Sequence, residues 1–403
     1  MDRRDVNPLV AATEAPPIAE AWRWVEGRSF PADKPLIDLC QAVPGYPPAD
    51  ALTAHLAEQV RAPDTARYTA IDGIPPLTAA LARRTGSLYG AEVAADEVLI
   101  TAGCNQAFAV AVMAVARAGD NVILPAPWYF NHKMTLDMLG IEARPLPLRE
   151  ENGLIPDPAE AEALIDAGTR ALVLISPNNP TGAIASPDAI AALYALCERR
   201  GVKLLLDETY RDFPEWEGRA PHGLFQRPGW KTTLVQLYSF SKVYSLAGYR
   251  VGAVIADAGL LTHARKVMDC LAICAPHIGQ KAALFGLEKL DGWVAEKRAD
   301  ILARVHAFQS AMEASGTRYR IASIGAYFAY VRHPFAGKRA HAVAEGLARD
   351  HNILCLPGSM FGPGQDDYLR FAFANVDAAV MPEIARRLVE SEGVESEGVE
   401  SEA

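Results

Sequence analysis

The chain has 403 residues, half of them hydrophobic, and a formal net charge of −10 at pH 7. That length can bury a large core and predicts two or three structural domains. The acidic balance gives no electrostatic support for nucleic-acid binding, and no run of about 18 apolar residues predicts a membrane span.

The cysteines indicate the redox environment of the protein. All six are scattered and none forms a C-x-x-C pair; they are Cys40, Cys104, Cys197, Cys270, Cys274 and Cys355. We therefore expect reduced thiols and no metal site. Because the charged N-terminus also lacks the apolar stretch of a signal peptide, we expect a cytoplasmic protein.

The first 49 residues are rich in proline. They predict one helix at 19–26 and an extended segment at 36–39. Two further helices are predicted at 49–62 and 74–85, the second with two prolines in its first turn.

From residue 97 onward, strand, loop and helix patterns alternate. The predicted strands are 97–101, 121–124, 142–146, 171–175, 202–206, 234–238 and 251–256. The predicted helices between them are 106–116, 132–139, 158–166 and 187–200. Continuous Val, Ile and Leu runs alternating with helices are typical of an α/β fold with a mostly parallel sheet covered on both faces. We assign residues 50–285 to this large, ligand-binding domain.

The last third of the chain has a different pattern. A long helix at 293–314 and strands at 327–331 and 368–373 predict a smaller α+β domain over residues 286–388, joined by the N-terminal segment 1–49. Residues 389–403 repeat V-E-S-E-G with six glutamates. Because such a segment cannot bury apolar surface, we expect a disordered, solubilising tail.

Unusual side chains follow several predicted strands, and in open α/β sheets ligands bind beyond the carboxyl ends of the strands. A glycine turn at Gly103 precedes a helix, which is either a tight turn or an anion site. Trp128 and Tyr129 follow the next strand, where an exposed ring would stack on a planar aromatic ligand. Asn179 follows a third strand, in a string that turn chemistry alone also explains.

Two later strand ends carry the charged groups. Asp207 is either a helix cap or a buried anion that awaits a cation such as a protonated ring nitrogen, and Tyr210 lies close enough to bind a phenolate-like oxygen. Lys242 stands between Ser239 and Ser241, with Arg250 eight residues on. Hydroxyls and a guanidinium suit a phosphate monoester, and a lysine of lowered pKa forms Schiff bases. The alternative is an ordinary loop lysine with two turn serines.

Together these strand ends offer a phosphate cradle, a stacking ring, an amide, an anion and a lysine, a combination that indicates pyridoxal 5′-phosphate. The pattern S-x-S-K-x-x-S-L-x-G-x-R-V-G at 239–252 resembles the lysine signature of class I/II aminotransferases, the aspartate aminotransferase-like family. N-N-P-T-G at 178–182 and Asp207-x-x-Tyr210 resemble two further markers of this family, in the right order. The resemblance extends from about residue 38 to residue 370.

The resemblance implies a role for each matching residue in holding the cofactor. Lys242 would hold it as a Schiff base and move a proton, and Asp207 would pair with the ring nitrogen. Tyr210 and Asn179 would bind the ring oxygen, and Tyr129 would stack, with Trp128 as the alternative. The groups expected to hold the phosphate are Ser239, Ser241, Arg250 and the amides of Gly103, Cys104 and Asn105. His132 is either a support behind Asp207 or an ordinary helix-start histidine.

The resemblance also implies how substrate binds. Arg370 would bind the α-carboxylate beside Asn179, and Tyr68 would reach the phosphate of the neighbouring subunit in a homodimer. Ala42 stands where the family usually carries glycine, so its methyl group is expected to narrow the pocket or shift the backbone amide. His277, in the predicted loop 273–280, is either a reader of the substrate side chain or a surface histidine. No residue can be named from the sequence for a second substrate carboxylate.

The implied reaction is ping-pong transamination between an amino acid and a 2-oxo acid. The same motifs also serve a carbon–sulfur lyase, a decarboxylase or a cyclising synthase. A third alternative is a regulator that keeps an aminotransferase-like domain as an effector sensor, although no basic helix-turn-helix pattern precedes residue 38.

Overall fold

The computed structural model of the protein describes residues 6–393. The helices, in chain order α1 to α15, are Pro8–Ala12, Pro17–Arg23, Asp50–Arg61, Pro75–Tyr89, Cys104–Val115, Phe130–Met138, Pro158–Ala163, Pro187–Arg200, Trp230–Thr233, Phe240–Val243, Ala258–Ala272, His277–Lys289, Asp291–Ser315, Ala340–Asp350 and Met381–Gly393. The strands, β1 to β13, are Ile37–Asp38, Val98–Thr101, Asn121–Ala126, Glu142–Pro147, Thr169–Ile175, Lys203–Asp207, Leu234–Ser239, Gly252–Ile255, Arg320–Gly325, Phe328–Arg332, Ile353–Leu354, Leu356–Pro357 and Tyr368–Phe371. Short 3-10 helices lie at Pro63–Ala66, Ala95–Glu97, Glu150–Asn152, Leu224–Gln226, Ala247–Tyr249, Gly358–Phe361, Phe373–Asn375 and Ala378–Val380.

A seven-stranded sheet forms the centre of the larger part of the molecule. Its strand order is β2-β8-β7-β6-β5-β3-β4, and β8 alone runs against the other six. Every residue of β2, β3, β7 and β8 is buried, as expected for strands covered by helices on both faces. The predicted α/β fold with a mostly parallel sheet is confirmed.

The parallel strands place their carboxyl ends at one edge of this sheet. Asp207 is the last residue of β6 and pairs with Leu237 of β7, so the two strands that precede Asp207 and Lys242 end side by side. The residues that follow these two strands therefore lie at the same edge of the sheet.

A smaller antiparallel sheet of order β12-β13-β10-β9 packs with α13, α14 and α15 around its own apolar cluster, which includes Phe308, Leu347 and Phe371. The N-terminal segment joins this part, because β1 pairs in parallel with β11. Arg370 lies in the middle of the sheet, opposite Tyr330 of β10.

The C-terminal helix is longer than the sequence predicts. α15 continues to Gly393, so the expectation that the disordered tail begins at residue 389 is wrong for 389–393. Met381, Ile384, Ala385 and Leu388 bury one face of the helix at the i, i+3, i+4 and i+7 spacing, and Glu392 accepts a 2.8 Å hydrogen bond from the amide of Arg318. Residues 394–403, the rest of the predicted tail, lie outside the described residues.

Several other elements differ from the sequence expectations. α1, α11, β9 and α14 are helices and strands that the sequence patterns do not identify, and α12 begins at His277, within the predicted loop 273–280.

Across residues 6–393, no helix is both long and apolar enough to cross a membrane. In the same range, no cluster of three or more His, Cys, Asp or Glu side chains could hold a metal ion.

Candidate active site

A cavity of about 340 Å³ lies beyond the carboxyl ends of β6 and β7, between the large sheet and the small one. The sequence-predicted residues that line it are Ala42, Cys104, Asn105, Tyr129, Asn179, Asp207, Tyr210, Ser239, Ser241, Lys242, Arg250 and Arg370. These residues come from seven separate stretches of the chain, and the fold brings them together around one cavity.

Lys242 projects into this cavity from the one-turn helix α10, directly after β7. The segment is therefore not the loop that the alternative interpretation of Lys242 assumes: the Ser239 hydroxyl accepts a 3.2 Å hydrogen bond from the Ser241 amide and caps the helical turn. Lys242 Nζ donates to the carbonyl oxygen of Ala42. Burial, followed by the positive charges of Arg250 and Arg370, lowers the pKa of Lys242 to about 8. Near neutral pH, Lys242 is therefore neutral in a far larger fraction of molecules than an exposed lysine, which favours a role as nucleophile or base.

The glycine turn before α5 packs against the guanidinium of Arg250. Arg250 donates to the carbonyl oxygens of Ala247 (3.0 Å) and Ala102 (3.4 Å). Gly103 is the N-cap of α5 with φ +85°, and a Cβ there would collide with the Arg250 guanidinium. A Cβ on Gly252 of β8 would lie 2.8 Å from the Gly103 carbonyl carbon. Arg250 therefore lies beside the first amides of a helix, which have no intrahelical partners and favour an anion.

Replacing Gly103 by alanine tests this close packing. We expect a larger loss of unfolding free energy, measured by urea titration of the cofactor-free protein, than for Gly119→Ala. Gly119 has a similar φ of +88° but no atom within 4 Å of its added Cβ, so it reports backbone strain alone, about 1–3 kcal/mol. Equal losses in the two variants would show that the Arg250 side chain moves away from an added Cβ at little cost, and that the close packing at Gly103 does not stabilise the fold.

Asp207 is a buried carboxylate whose two oxygens have different partners. Oδ1 accepts hydrogen bonds from the Thr209 amide (2.9 Å) and hydroxyl (2.7 Å), which closes a turn. Oδ2 lies 3.6 Å from both His132 Nε2 and Cys104 Sγ. Burial raises the pKa of Asp207, and it lowers the pKa of His132 to about 3, so His132 is neutral. In the described chain no helix begins directly after Asp207, so the interpretation as a helix cap is wrong: one oxygen closes a turn with Thr209, and the other faces the cavity lining.

Of the aromatic candidates at 128–129 and the amides at 178–179, only Tyr129 and Asn179 line the cavity. Tyr129 lines the cavity and donates a 3.2 Å hydrogen bond to Asn105 Oδ1, whereas Trp128 is absent from the lining and packs beside Gly362. Asn178 Oδ1 accepts from the backbone and side chain of Thr181 and so holds the turn. Asn179 is left to face the cavity.

Arg370 reaches the cavity from β13 with only 1% of its surface exposed. One amino group donates to Asn179 Oδ1 at 3.4 Å, and the other donates to the carbonyl oxygen of Cys40. Its Nε has no hydrogen-bond partner among residues 6–393, and burial lowers its pKa. Buried donors without partners are costly, so this guanidinium is suited to an incoming carboxylate.

Ala42, Tyr68 and His277 occupy three different environments. The Ala42 side chain packs against the cluster of Tyr210 and Phe328, and its carbonyl oxygen accepts from Lys242. Tyr68 is 77% exposed and lines a separate cavity of about 570 Å³ together with His277. Within one chain, therefore, neither Tyr68 nor His277 reaches the candidate site.

The structure also adds residues that sequence reasoning missed. The further lining residues are Ile18, Gln41, Val43, Phe130, Asn131, Ile175, Thr209 and Ala247. A hydroxyl two residues after Asp207 was the available signal for Thr209. Nothing in the sequence connects Ile18 of α2 with residues more than 200 positions away.

Comparisons with known proteins identify the fold and the family of the chain. The protein superimposes on a Thermus thermophilus aspartate aminotransferase mutant with a TM-score of 0.87 and 22% identity, over 96% of this chain and all of that one. It therefore has the aspartate aminotransferase fold. The model of the family "Aminotransferase class I and II" matches residues 34–388. The chain belongs to that family and is an aminotransferase.

Curated relatives share moderate identity with the chain. The aromatic aminotransferase ISS1 of Arabidopsis thaliana is 27% identical over 359 residues, which cover 87% of this chain and 88% of the relative. The arginine–pyruvate transaminase AruH of Pseudomonas aeruginosa is 30% identical over 323 residues, which cover 80% of this chain and 81% of the relative. The names of the two relatives give different amino donors, so the family relationship does not by itself identify the substrate.

Proposed function

We propose that this aminotransferase holds pyridoxal 5′-phosphate in the cavity at Lys242 and transfers amino groups between an L-amino acid and a 2-oxo acid. The observation that carries the proposal is the convergence of Lys242, Asp207 and Arg370 on one cavity from three separate elements. A covalent anchor, an anion and a carboxylate-binding cation are what the reaction requires of the protein.

The cavity fits this cofactor on the evidence of its own residues. A Cβ on Gly252 would collide with the backbone of Gly103 and Cys104, and a Cβ on Gly103 would meet the Arg250 guanidinium, so these glycines let the first amides of α5 and the Arg250 cation lie close together. Ser239, Ser241 and Asp207 also line this cavity, and Asp207 Oδ2 lies 3.6 Å from His132 Nε2. We assign phosphate binding to Arg250, the two serines and the amides that follow Gly103, and ring-nitrogen binding to Asp207. Tyr210 and Asn179 would bind the ring oxygen, and Tyr129 would stack on the ring.

When bound, pyridoxal 5′-phosphate supplies an aldehyde that condenses with amines and a protonated ring that accepts electron density from the substrate Cα. The chain supplies the other steps. Arg370 binds the α-carboxylate and so fixes the orientation of the Cα–H bond. Neutral Lys242 Nζ accepts the Cα proton and later returns a proton, since its pKa near 8 suits both directions at neutral pH. Ionised Asp207 keeps the proton on the ring nitrogen.

A transaminase and a lyase differ in how much 2-oxo acid they release from an amino acid alone, and the test measures this difference. Purified protein is loaded with pyridoxal 5′-phosphate, freed of excess, reduced with borohydride in one portion and mapped by mass spectrometry. We expect the label on the peptide that contains Lys242. The unreduced portion, given an amino acid alone, should release one equivalent of 2-oxo acid per site and then stop. Continuous release of ammonia would assign a lyase, and a label on another lysine would overturn the site.

We further propose a homodimer in which Tyr68 of one subunit reaches the phosphate of the other. The support is the exposure of Tyr68, outside its own chain's site, next to the surfaces of α3 and α12. Mixing Lys242→Ala with Tyr68→Ala subunits tests this arrangement. In a hybrid dimer, one site would then regain both wild-type residues and wild-type cofactor affinity, whereas a Tyr68 that acts within its own chain restores nothing.

The remaining proposals concern location and domain organisation. Reduced thiols support a cytoplasmic location, since the cysteines of the described residues are all free. We retain the division into a large domain over 50–285 and a small one over 286–388 that includes the N-terminal segment. The separate apolar clusters around the two sheets and the pairing of β1 with β11 support it.

A further inference from the structure

We propose that Cys104 is a positioning residue of this enzyme: its thiol donates a hydrogen bond to Asp207 Oδ2 and so holds that oxygen in place for the ring nitrogen of the cofactor. Both residues line the candidate active-site cavity. The proposal rests on the function proposed above, and it gives a side-chain role to a residue assigned so far only through its backbone amide. The contacts that carry it lie within one chain, so it does not depend on what a second subunit adds to the cavity.

Asp207 Oδ2 is the carboxylate oxygen that remains after Oδ1 is engaged. The amide and the hydroxyl of Thr209 both donate to Oδ1, at 2.9 and 2.7 Å. In the described part of the chain, the one hydrogen bond that Oδ2 accepts comes from Cys104 Sγ, at 3.6 Å. Asp207 is 5% exposed, and burying a carboxylate is costly unless its oxygens are hydrogen-bonded. The thiol therefore supplies a contact that this oxygen otherwise lacks.

His132 lies at the same distance from Oδ2 but makes a weaker contact. Its Nε2 is 3.6 Å away, which is too long for an N–H···O hydrogen bond. Because sulfur has a larger radius than nitrogen, the same distance is an ordinary one for a thiol donor. Burial lowers the pKa of His132 to about 3, so the ring is uncharged. The imidazole stacks on Phe108, with 3.8 Å between ring centroids, and this packing fixes it beside the carboxylate.

Helix α5 positions both groups. Cys104 is its first residue, after the Gly103 cap, and Phe108 follows one turn later on the same face. A cysteine at a helix N-terminus usually has a lowered pKa. Here burial, followed by the negative charge of Asp207, raises the pKa of the Cys104 thiol well above its ordinary value. Cys104 therefore keeps its proton at neutral pH and acts as a hydrogen-bond donor.

The thiol and the burial of Asp207 have opposite effects on the carboxyl group. Burial raises the pKa of Asp207, whereas the hydrogen bond from Cys104 favours the ionised form. An ionised Asp207 is the form that keeps a proton on the ring nitrogen of pyridoxal 5′-phosphate. Because S–H is a weak donor, it leaves most of the carboxylate charge available to that ring. Cys104 thus supports phosphate binding through its amide and ring binding through its thiol.

The first experiment observes the thiol proton in the cofactor-free protein. The S–H stretching band lies in an infrared window that other protein groups leave clear, and it moves to lower frequency when the thiol donates. Subtracting the spectrum of Cys104→Ala isolates the Cys104 band, and the same subtraction is made in each variant background. We expect the band to move to higher frequency in Asp207→Asn, because the charged acceptor is lost. It should stay unchanged in Glu208→Gln, which alters the adjacent carboxylate instead. An unmoved band in Asp207→Asn, or equal movement in the two variants, would overturn the proposal.

The second experiment separates this role from packing at the start of α5. Pyridoxal carries the ring nitrogen without a phosphate, and inorganic phosphate carries no ring; both are titrated into cofactor-free protein by calorimetry. Cys104→Ala should weaken pyridoxal binding by about fivefold to tenfold and change phosphate binding by less than about twofold. Cys104→Ser keeps a donor and should restore most of the loss. Equal losses for the two ligands, or no rescue by serine, would reduce Cys104 to a packing residue and refute the proposal.

The two experiments also distinguish this inference from the function on which it rests. If the wild-type protein binds neither pyridoxal nor pyridoxal 5′-phosphate, the proposed function fails, while the infrared result still decides whether the thiol donates to Asp207. If the cofactor binds and the Cys104 band ignores Asp207→Asn, the function stands and the role of Cys104 is refuted.

Discussion

Replacing Lys242 by alanine should lower kcat by about 10⁴-fold or more, because the substitution removes both the proposed covalent anchor and the base. No other lysine lines the cavity in the described residues, so nothing nearby can substitute for it. The visible absorbance that pyridoxal 5′-phosphate acquires on bonding to a lysine should be lost as well. Absorbance spectra and single-turnover kinetics with an amino donor measure both effects.

The structure offers a matched control in Lys203. This lysine is also partly buried, and burial lowers its pKa, but it stands at the amino end of β6, whereas Asp207 stands at the carboxyl end. Lys203→Ala removes an equal charge from the opposite edge of the same sheet, so it should retain the spectrum and turnover. If Lys242→Ala retained them too, or if Lys203→Ala lost them, the assignment of the site to this edge would fail.

The predicted residues that line the cavity are those whose signal is local. Lys242, Asp207 and Asn179 each stand at or within four residues of the end of an apolar strand, and parallel strands bring their carboxyl ends to one edge of the sheet. The fold class follows from the same alternation. The local pattern could not show that Lys242 lies on a helical turn, since the cap that forms it is a hydrogen bond between Ser239 and the Ser241 amide.

The residues that the sequence misses are positioned by contacts distant in the chain. Ile18 enters the cavity because α2 packs onto a cluster built from Phe130, Leu354 and Phe361, and no local pattern encodes that packing. β1 is two residues long and exists only through its pairing with β11. The sequence did not predict that residues 389–393 are helical, and the reason is different. Its glutamate-rich repeat indicates disorder, while burial of the preceding apolar residues carries the helix through Gly393.

Asp207 and Glu208 provide a comparison of two adjacent buried carboxylates with opposite environments. Glu208 accepts a 2.6 Å hydrogen bond from Tyr89 and lies beside His222 and Arg211, and these partners lower its pKa despite burial. The pKa of Asp207 is raised, because burial outweighs the hydrogen bonds from Thr209. One carboxylate is therefore stabilised as an anion by its surroundings, and the other is not.

This difference predicts opposite effects of Glu208→Gln and Asp207→Asn on the cofactor-free protein. A carboxyl group with a lowered pKa stabilises the fold above its unfolded-state pKa and ceases to do so as pH falls, so Glu208→Gln should reduce the unfolding free energy at pH 7. A carboxyl group with a raised pKa costs stability once it ionises, so Asp207→Asn should keep or increase the unfolding free energy at pH 7. This gain should vanish as pH falls below about 4, near the unfolded-state pKa of aspartate, where both states are protonated. Urea titrations at pH 7 and at acid pH measure both signs.

The two substitutions should affect kcat in the opposite order: Asp207→Asn should lower it much more than Glu208→Gln. Asp207→Asn keeps an oxygen for Thr209 but removes the charge that would hold the ring nitrogen protonated, so kcat should fall by about 10³-fold. Glu208→Gln removes an equal charge one residue away, from a side chain outside the cavity lining, and kcat should fall by less than about tenfold. A variant that is more stable without cofactor yet inactive with it would identify Asp207 as a group whose unfavourable burial is retained for function. Equal kinetic losses in the two variants would instead indicate that both carboxylates only maintain the fold, and the pairing of Asp207 with a ring nitrogen would be refuted.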